Sequence, residues 1–134
     1  MIITTINVRG LGRSLKFSSL RRLFSTLHPD LVLVQETMVE AQKACHFFLR
    51  LFPGWEVCVI DASGRLGGLL CIWNPDVCEL APLSLLSGIL LVGRLQGFNE
   101  VVKILNIYGP YGDWVGFWDQ LVVSGLLQDG HLIL

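Results

Sequence analysis

Charged side chains are scarce in this sequence of 134 residues. Only 16% of the residues are Asp, Glu, Lys or Arg, whereas 52% are hydrophobic and the mean hydropathy is +0.59. Soluble domains usually carry about 25% charged residues. The length fits a single domain, but that domain would have more apolar surface than a chain of this size readily buries.

A long hydrophobic run is also missing. The longest stretch without a charge spans residues 80–93, between Glu79 and Arg94. A membrane-spanning helix needs about 20 mostly apolar residues, and this stretch is shorter and interrupted by Pro82 and Gly88. The N-terminus shows no basic segment ahead of a long apolar run, which a secretory signal would require. We therefore expect an intracellular protein with no membrane partner.

Metal-binding cysteine pairs are absent as well. The four cysteines form no C-x-x-C pair, and none has a histidine at zinc-finger spacing. They fall in apolar segments that are typical of strands or of a helix face, so we predict buried, reduced thiols without a chemical role. These residues are Cys45, Cys58, Cys71 and Cys78.

Acidic residues are missing from the first part of the chain, where no acid precedes Asp30. Five of the ten basic residues lie there: Arg9, Arg13, Lys16, Arg21 and Arg22. A positive segment on a chain with a net charge of only −1 would suit a polyanion such as nucleic acid. An ordinary solvated helix face explains the same charges, and from charge alone it is the simpler interpretation.

The hydrophobic pattern of the first part predicts strand, helix, strand. Residues 2–8 are β-branched and apolar, a helix follows from Ser14 as its N-cap to Leu27, and residues 31–35 form a buried strand. Such a unit favours parallel pairing of its two strands through a right-handed crossover. A second helix is predicted from about Val39 to Leu51.

Short strands separated by turns follow this helix and predict antiparallel neighbours. We expect these strands at residues 55–60, 68–73, within 77–83, 88–95 and 101–108. Asp113 could cap a third helix that ends near Asp129. Its inward face is predicted to hold Trp114, Phe117, Trp118, Leu121 and Val122. The fold class is therefore α/β.

The final residues, 131–134, have the sequence HLIL and resemble the opening of another strand. Domain termini usually lie at the surface. With the high hydrophobicity, this pattern predicts that residues 1–134 form a single truncated domain. We expect the second layer of a larger α/β domain to be missing. One sheet face would then be uncovered and available for self-association.

Polar side chains follow two of the predicted strands. Asn7 ends the first strand and Glu36 follows the second, so parallel pairing would bring both to one sheet edge, where ligands bind in open α/β sheets. Carboxylate and amide oxygens suit Mg²⁺. Polar groups that satisfy nearby backbone are the alternative. Asn106 and Tyr108 follow a third apolar strand, and a core tyrosine with one hydrogen-bond partner is the alternative for Tyr108.

Four segments in order resemble a known family. They are INVRGLG (6–12), PDLVLVQET (29–37), GRLGGLLCIWN (64–74) and NIYGP (106–110), the last followed by FW..L (117–121). Together they resemble the endonuclease/exonuclease/phosphatase family, whose fold is shared by deoxyribonuclease I. Their details are most similar to the endonuclease domain of plant LINE-type retrotransposons.

The resemblance implies a two-sheet α/β sandwich and a nuclear phosphodiesterase that nicks DNA with Mg²⁺ or Mn²⁺. Glu36 matches the metal ligand, and Asn7 matches the residue that orients this carboxylate and the bound phosphate. Tyr108 matches the tyrosine that contacts the phosphate or the nucleophile, and Asn106 supports it. Arg9 and Arg65 would contact the DNA substrate.

The sequence departs from the family at two motifs. A GDFN-type motif, expected just beyond HLIL, and a later SDH-type motif are not present. His131 precedes the last predicted strand, where the family has no catalytic residue, so we do not expect it to act as a replacement base. The chain is thus predicted to be inactive alone. There are two alternatives. The chain could be a fragment of a lipid or inositol phosphatase of the same fold, or it could be a non-catalytic interaction module.

Overall fold

We analysed a computed structural model of the chain. The structure describes residues 1–62, 67–85, 87–109, 112–126, 128 and 131–133.

The first half of the chain builds a sheet with two helices on its outer face. Its elements are β1 (Ile3–Asn7), α1 (Leu15–Leu27), β2 (Leu31–Gln35), α2 (Ala41–Leu51), β3 (Glu56–Ile60) and β4 (Leu69–Trp73). The strand order is β1-β2-β4-β3. Strands β1 and β2 are parallel, and the other two pairs are antiparallel. The predicted parallel pairing of β1 and β2 and the predicted antiparallel pairing of β3 and β4 are confirmed.

The second half builds another four-stranded sheet. Its elements are β5 (Cys78–Leu85), β6 (Gly88–Leu95), β7 (Val102–Ile107), α3 (Trp114–Val123) and β8 (His131–Ile133). The order is β5-β6-β7-β8, with antiparallel pairs except for β7 and β8, which are parallel. The predicted α/β class is confirmed.

Two main cores hold these layers together. One lies between the two sheets and contains Leu33, Trp73, Ile89, Leu91 and Ile104. The other packs the helices on the outer face of the first sheet. The expectation of a missing second layer is therefore wrong, because the apolar strands after residue 77 pair into a second sheet that covers the first.

Helix α3 is where the sequence prediction failed most. Asp113 caps it by accepting a hydrogen bond from the Gly116 amide at 2.8 Å, as predicted, but the helix ends at Val123. Of the five residues predicted to face inward, only Leu121 is buried. The helix is apolar on almost every side, so periodicity could not select its inner face. At the start of α1, the predicted N-cap Ser14 makes no capping hydrogen bond with its side chain.

All four cysteines are reduced, as predicted. Cys71 and Cys78 are buried, and Cys45 and Cys58 are half-buried. Burial raises the pKa of Cys71 to about 12 and the pKa of Cys78 to about 11, so these thiols stay protonated at neutral pH. In the part of the chain that the structure describes, no helix has both the length and the apolar composition to cross a bilayer.

Candidate functional site

The predicted polar residues meet at one edge of the sandwich. Strands β1 and β2 run parallel in a register that pairs Asn7 with Gln35, so Glu36 emerges beside Asn7. Strand β7 of the other sheet ends at Ile107, and the next residue, Tyr108, reaches across to Glu36. The edge where the carboxyl ends of β1, β2 and β7 meet is therefore the candidate site.

The backbone is unusual at this edge. Among the described residues, four non-glycine residues have a positive φ, and three of them lie here: Arg9 (48°), Glu36 (55°) and Met38 (52°). Left-handed backbone is costly for residues with a Cβ and tends to occur at functional sites, where the surrounding structure holds it in place. Backbone conformation thus identifies the same edge as the side-chain chemistry does.

Hydrogen bonds hold the two site loops together. The Val8, Gly10 and Leu11 amides donate to the carbonyls of residues 35, 36 and 37 at 3.0, 2.7 and 2.9 Å, which extends the parallel pairing beyond the sheet. The Lys16 ammonium donates to the carbonyls of Val8, Arg9 and Gly10. Lys16 therefore stabilises the loop, and its charge is less available to a polyanion than the sequence suggested.

Two glycines support Glu36 from the opposite side. A Cβ on Gly67 would lie 3.0 Å from the Cα of Glu36, and a Cβ on Gly68 would lie 2.3 Å from the Thr37 hydroxyl oxygen. The Thr37 amide donates to the Gly68 carbonyl at 3.3 Å. Close approach to Glu36 and Thr37 therefore explains this Gly-Gly pair, in addition to the positive φ of Gly68, +81°.

Glu36 is held as a carboxylate. The Tyr108 hydroxyl donates to its Oε1 at 2.6 Å. This hydrogen bond and a second one from the Asn7 side-chain amide lower the pKa of Glu36, against the opposing effect of desolvation, and the positive charge of Arg9 lowers it further. The Asn7 Oδ1 accepts from the Arg9 amide at 3.0 Å, which orients its amide group. At neutral pH the site therefore presents a fixed negative charge.

Asn106 lies beneath the site and joins the two sheets. It is 1% exposed. Its Nδ2 donates to the carbonyls of Val34 and Leu70 at 3.2 and 3.1 Å, and its Oδ1 accepts from the Gln35 amide at 2.8 Å. The Gln35 amide also donates to the Thr5 hydroxyl at 3.1 Å. Asn106 thus supports the strand that precedes Glu36, through the Val34 carbonyl and the Gln35 side chain.

The structure brings together three of the predicted site residues, Asn7, Glu36 and Tyr108. Arg9 is exposed on the neighbouring loop. Arg65 and the side chain of His131 lie outside the described part of the chain. Sequence reasoning missed Gln35 and Thr37 as supporting residues, although both flank Glu36 in the QET motif.

The donor atoms at this edge are of the type that binds a hard cation, but there are too few of them. A carboxylate and an amide oxygen are the ligand types that Mg²⁺ prefers. Within the described ranges, no group of three or more His, Cys, Asp or Glu side chains could hold a metal ion. A divalent cation at Glu36 would therefore need further oxygen ligands.

Comparison with solved structures shows the fold. The chain superimposes on the catalytic domain of APE2 from Xenopus laevis with a TM-score of 0.68 at 15% identity, over 98% of this chain and 56% of that one. It matches an AP endonuclease from Archaeoglobus fulgidus with a TM-score of 0.67 at 18% identity, over 97% and 53%. An endonuclease/exonuclease/phosphatase family protein from Leptotrichia buccalis gives 0.64 at 13% identity, over 97% and 65%.

These matches establish the two-sheet, deoxyribonuclease-I-like fold that the sequence predicted. The chain spans about half the length of the first solved structures that it matches. No family model and no curated protein sequence matches it.

Proposed function

We propose that the chain is the N-terminal part of a divalent-metal-dependent phosphodiesterase that acts on DNA, of the type found in LINE retrotransposons. The observation that carries the proposal is the Tyr108 hydroxyl on the Glu36 carboxylate, a contact that joins the two sheets beside Asn7. The solved structures of the same fold include AP endonucleases, which supports a nucleic-acid substrate. We propose a nuclear location from the resemblance to the endonuclease domain of LINE-type retrotransposons.

Each residue at this edge has a distinct role in the proposed reaction. Glu36 would hold Mg²⁺ or Mn²⁺, which polarises a phosphate and stabilises the leaving oxygen when bound. Tyr108 donates a hydrogen bond to one carboxylate oxygen of Glu36, and its hydroxyl group would lie near the bound phosphate. Asn7 orients the same carboxylate, and the exposed Arg9 supplies positive charge for the phosphate.

Strand β8 suggests how the site would be completed. It runs parallel to β7, with Val102 opposite His131 and Ile104 opposite Ile133. Residues that followed β8 in a longer chain would emerge near Tyr108, at the edge that holds Glu36. We propose that acidic ligands from such a segment complete the site and that the 134 residues alone do not cleave DNA.

Metal binding is testable at residue resolution even when it is weak. We expect Mn²⁺ to broaden the amide NMR signals of Asn7, Glu36 and Tyr108 selectively. Glu36→Gln should abolish this selective broadening. Glu56→Gln is the matched control, because Glu56 is an exposed glutamate at the opposite edge of the same sheet. Equal broadening in wild type and Glu36→Gln would contradict the metal-binding role.

Cleavage is tested by nicking of supercoiled plasmid with Mg²⁺ or Mn²⁺. We expect none from the 134 residues. Nicking that disappears in both Glu36→Ala and Tyr108→Phe would overturn the proposed inactivity and confirm the phosphodiesterase. Nicking that persists in both variants would come from a contaminant or from another site.

A further inference from the structure

We propose that Trp114 is a nucleobase-stacking residue at the wall of the candidate site, and that the preferred substrate is therefore DNA with an unstacked base. This inference rests on the proposed function and specifies its substrate class.

The position of Trp114 is set by a close contact with the site backbone. A Cβ on Gly109 would lie 2.1 Å from the indole Cη2 of Trp114, so the six-membered ring of the indole sits directly on Gly109. Gly109 immediately follows Tyr108, whose hydroxyl binds Glu36. One packing contact, one peptide bond and one hydrogen bond thus connect the indole to Glu36, the candidate metal ligand.

The ring is also available to a ligand. Trp114 is 52% exposed although it is held at the first position of α3, where its amide donates to the Gly112 carbonyl at 3.1 Å. An edge-to-face contact with Phe117 supports the ring from one side, with centroids 6.5 Å apart. A half-exposed indole on a fixed backbone is a suitable platform for stacking, because every nucleobase has a π face.

Charge indicates which part of a nucleotide would lie against Trp114. Asp113, the N-cap of α3 and the covalent neighbour of Trp114, is exposed and would repel a phosphate. Arg9 lies on the loop of the other sheet, where it is close enough to lower the pKa of Glu36. A bound strand would therefore turn its phosphate toward Glu36 and Arg9 and its base toward Trp114. A base paired within a duplex could not present its face in this way.

Trp118 provides a matched control. It is a second tryptophan on α3, 42% exposed and therefore similar to Trp114. It lies one helical turn further along the chain, and the three atoms nearest to a Cβ on Gly109 all belong to Trp114. A role in stacking at the site should depend on Trp114 and not on Trp118, whereas a general apolar docking face would depend on both.

The test is fluorescence anisotropy of a labelled single-stranded oligonucleotide and of a paired duplex of equal length, with Mn²⁺ present. We expect wild type to prefer the single strand. Trp114→Leu should weaken single-strand binding by about five- to one-hundred-fold, the usual loss for one stacked base. Trp114→Phe should retain most of the binding, and Trp118→Leu should change it by less than about twofold.

The possible outcomes separate the two proposals. Single-strand binding that is equal in wild type and a folded Trp114→Leu variant would overturn the stacking role alone. Equal losses in Trp114→Leu and Trp118→Leu would also overturn it and indicate a docking face. No binding of either DNA by the wild type would contradict the proposed function itself. If Trp114→Leu does not fold by circular dichroism, loss of binding in a folded Trp114→Phe variant would overturn the stacking role.

Discussion

Glu36 follows strand β2, in which residues Leu31–Val34 are all buried. A carboxylate beside such a core is costly unless other groups compensate its charge. Tyr108 and Asn7 donate hydrogen bonds to it, and Arg9 adds a positive charge nearby. The cost of the acid is therefore offset by neighbours from both sheets, and a bound cation would add to this compensation.

The pKa of Glu36 is the residue-level prediction. We expect an NMR titration to give a pKa below its ordinary value of 4.5, because hydrogen bonds from Tyr108 and Asn7 stabilise the charged form. Tyr108→Phe removes the largest cause and should raise the pKa. Since the folded-state pKa lies below the unfolded one, the ionised group stabilises the fold above the unfolded value. That stabilisation is lost as the pH falls through the folded pKa. An unchanged pKa in Tyr108→Phe would contradict this account.

Among the secondary-structure elements, the strands and the start of the third helix were predictable, whereas the end and the buried face of that helix were not. Strands β2, β4 and β7 are short apolar runs bounded by turn residues, and such runs identify strands directly. The exposure of Trp114 and Val122 on α3 was not predictable, because a helix that is apolar all round has no periodic signal for its buried face.

The candidate site was likewise predictable only in part. Asn7, Glu36 and Tyr108 follow strands, and their motifs resemble a known family, so the sequence indicated them. Lys16 acts through its contacts with backbone carbonyls of the neighbouring loop, and Gln35 acts through its contact with Asn106 of the other sheet. The Gln35 contact depends on the packing of the two sheets, and the Lys16 contacts depend on the conformation of the loop between β1 and α1. Local sequence patterns specify neither.

The loop before β4 provides the element-level prediction. Gly68 has a φ of +81° and would place a Cβ 2.3 Å from the Thr37 hydroxyl, whereas Gly97 has a φ of +88° and open space around it. Alanine should cost about 1 kcal/mol at either position through the left-handed backbone, and more at Gly68 through the clash. We expect urea denaturation to show Gly68→Ala as clearly less stable than Gly97→Ala. Equal losses would contradict the close approach.

At the scale of the whole molecule, Asn106 couples the two sheets. Its side chain bridges β7 to the carbonyls of Val34 and Leu70 in the buried centre of the sandwich. Asn106→Leu should lower the free energy of unfolding by about 1–3 kcal/mol, because it leaves buried polar partners unsatisfied. Asn99→Leu, at an exposed position, is the control and should change it little. A neutral Asn106→Leu in urea denaturation would contradict the coupling.

Among the described residues, α3 carries more exposed large apolar side chains than any other element, five of fourteen. Val115, Trp118, Val122 and Val123 are 74%, 42%, 54% and 85% exposed. The sequence suggested self-association through a sheet surface, but the two sheets cover each other, and the edge strand β5 is interrupted by Pro82, which discourages edge pairing. We therefore expect any self-association to use α3.

This expectation is tested by sedimentation velocity over a range of concentrations. The triple variant Val115→Ser, Val122→Ser, Val123→Ser should shift the chain toward monomer, because it removes three of the five exposed large apolar side chains of α3. Leu83→Ser is the control, since Leu83 is a similarly exposed apolar residue, 54% exposed on β5. Dissociation by Leu83→Ser with no effect of the triple variant would instead identify the sheet edge as the contact. A wild type that stays monomeric at every concentration would exclude both surfaces, and the apolar face of α3 would then be free for a different partner.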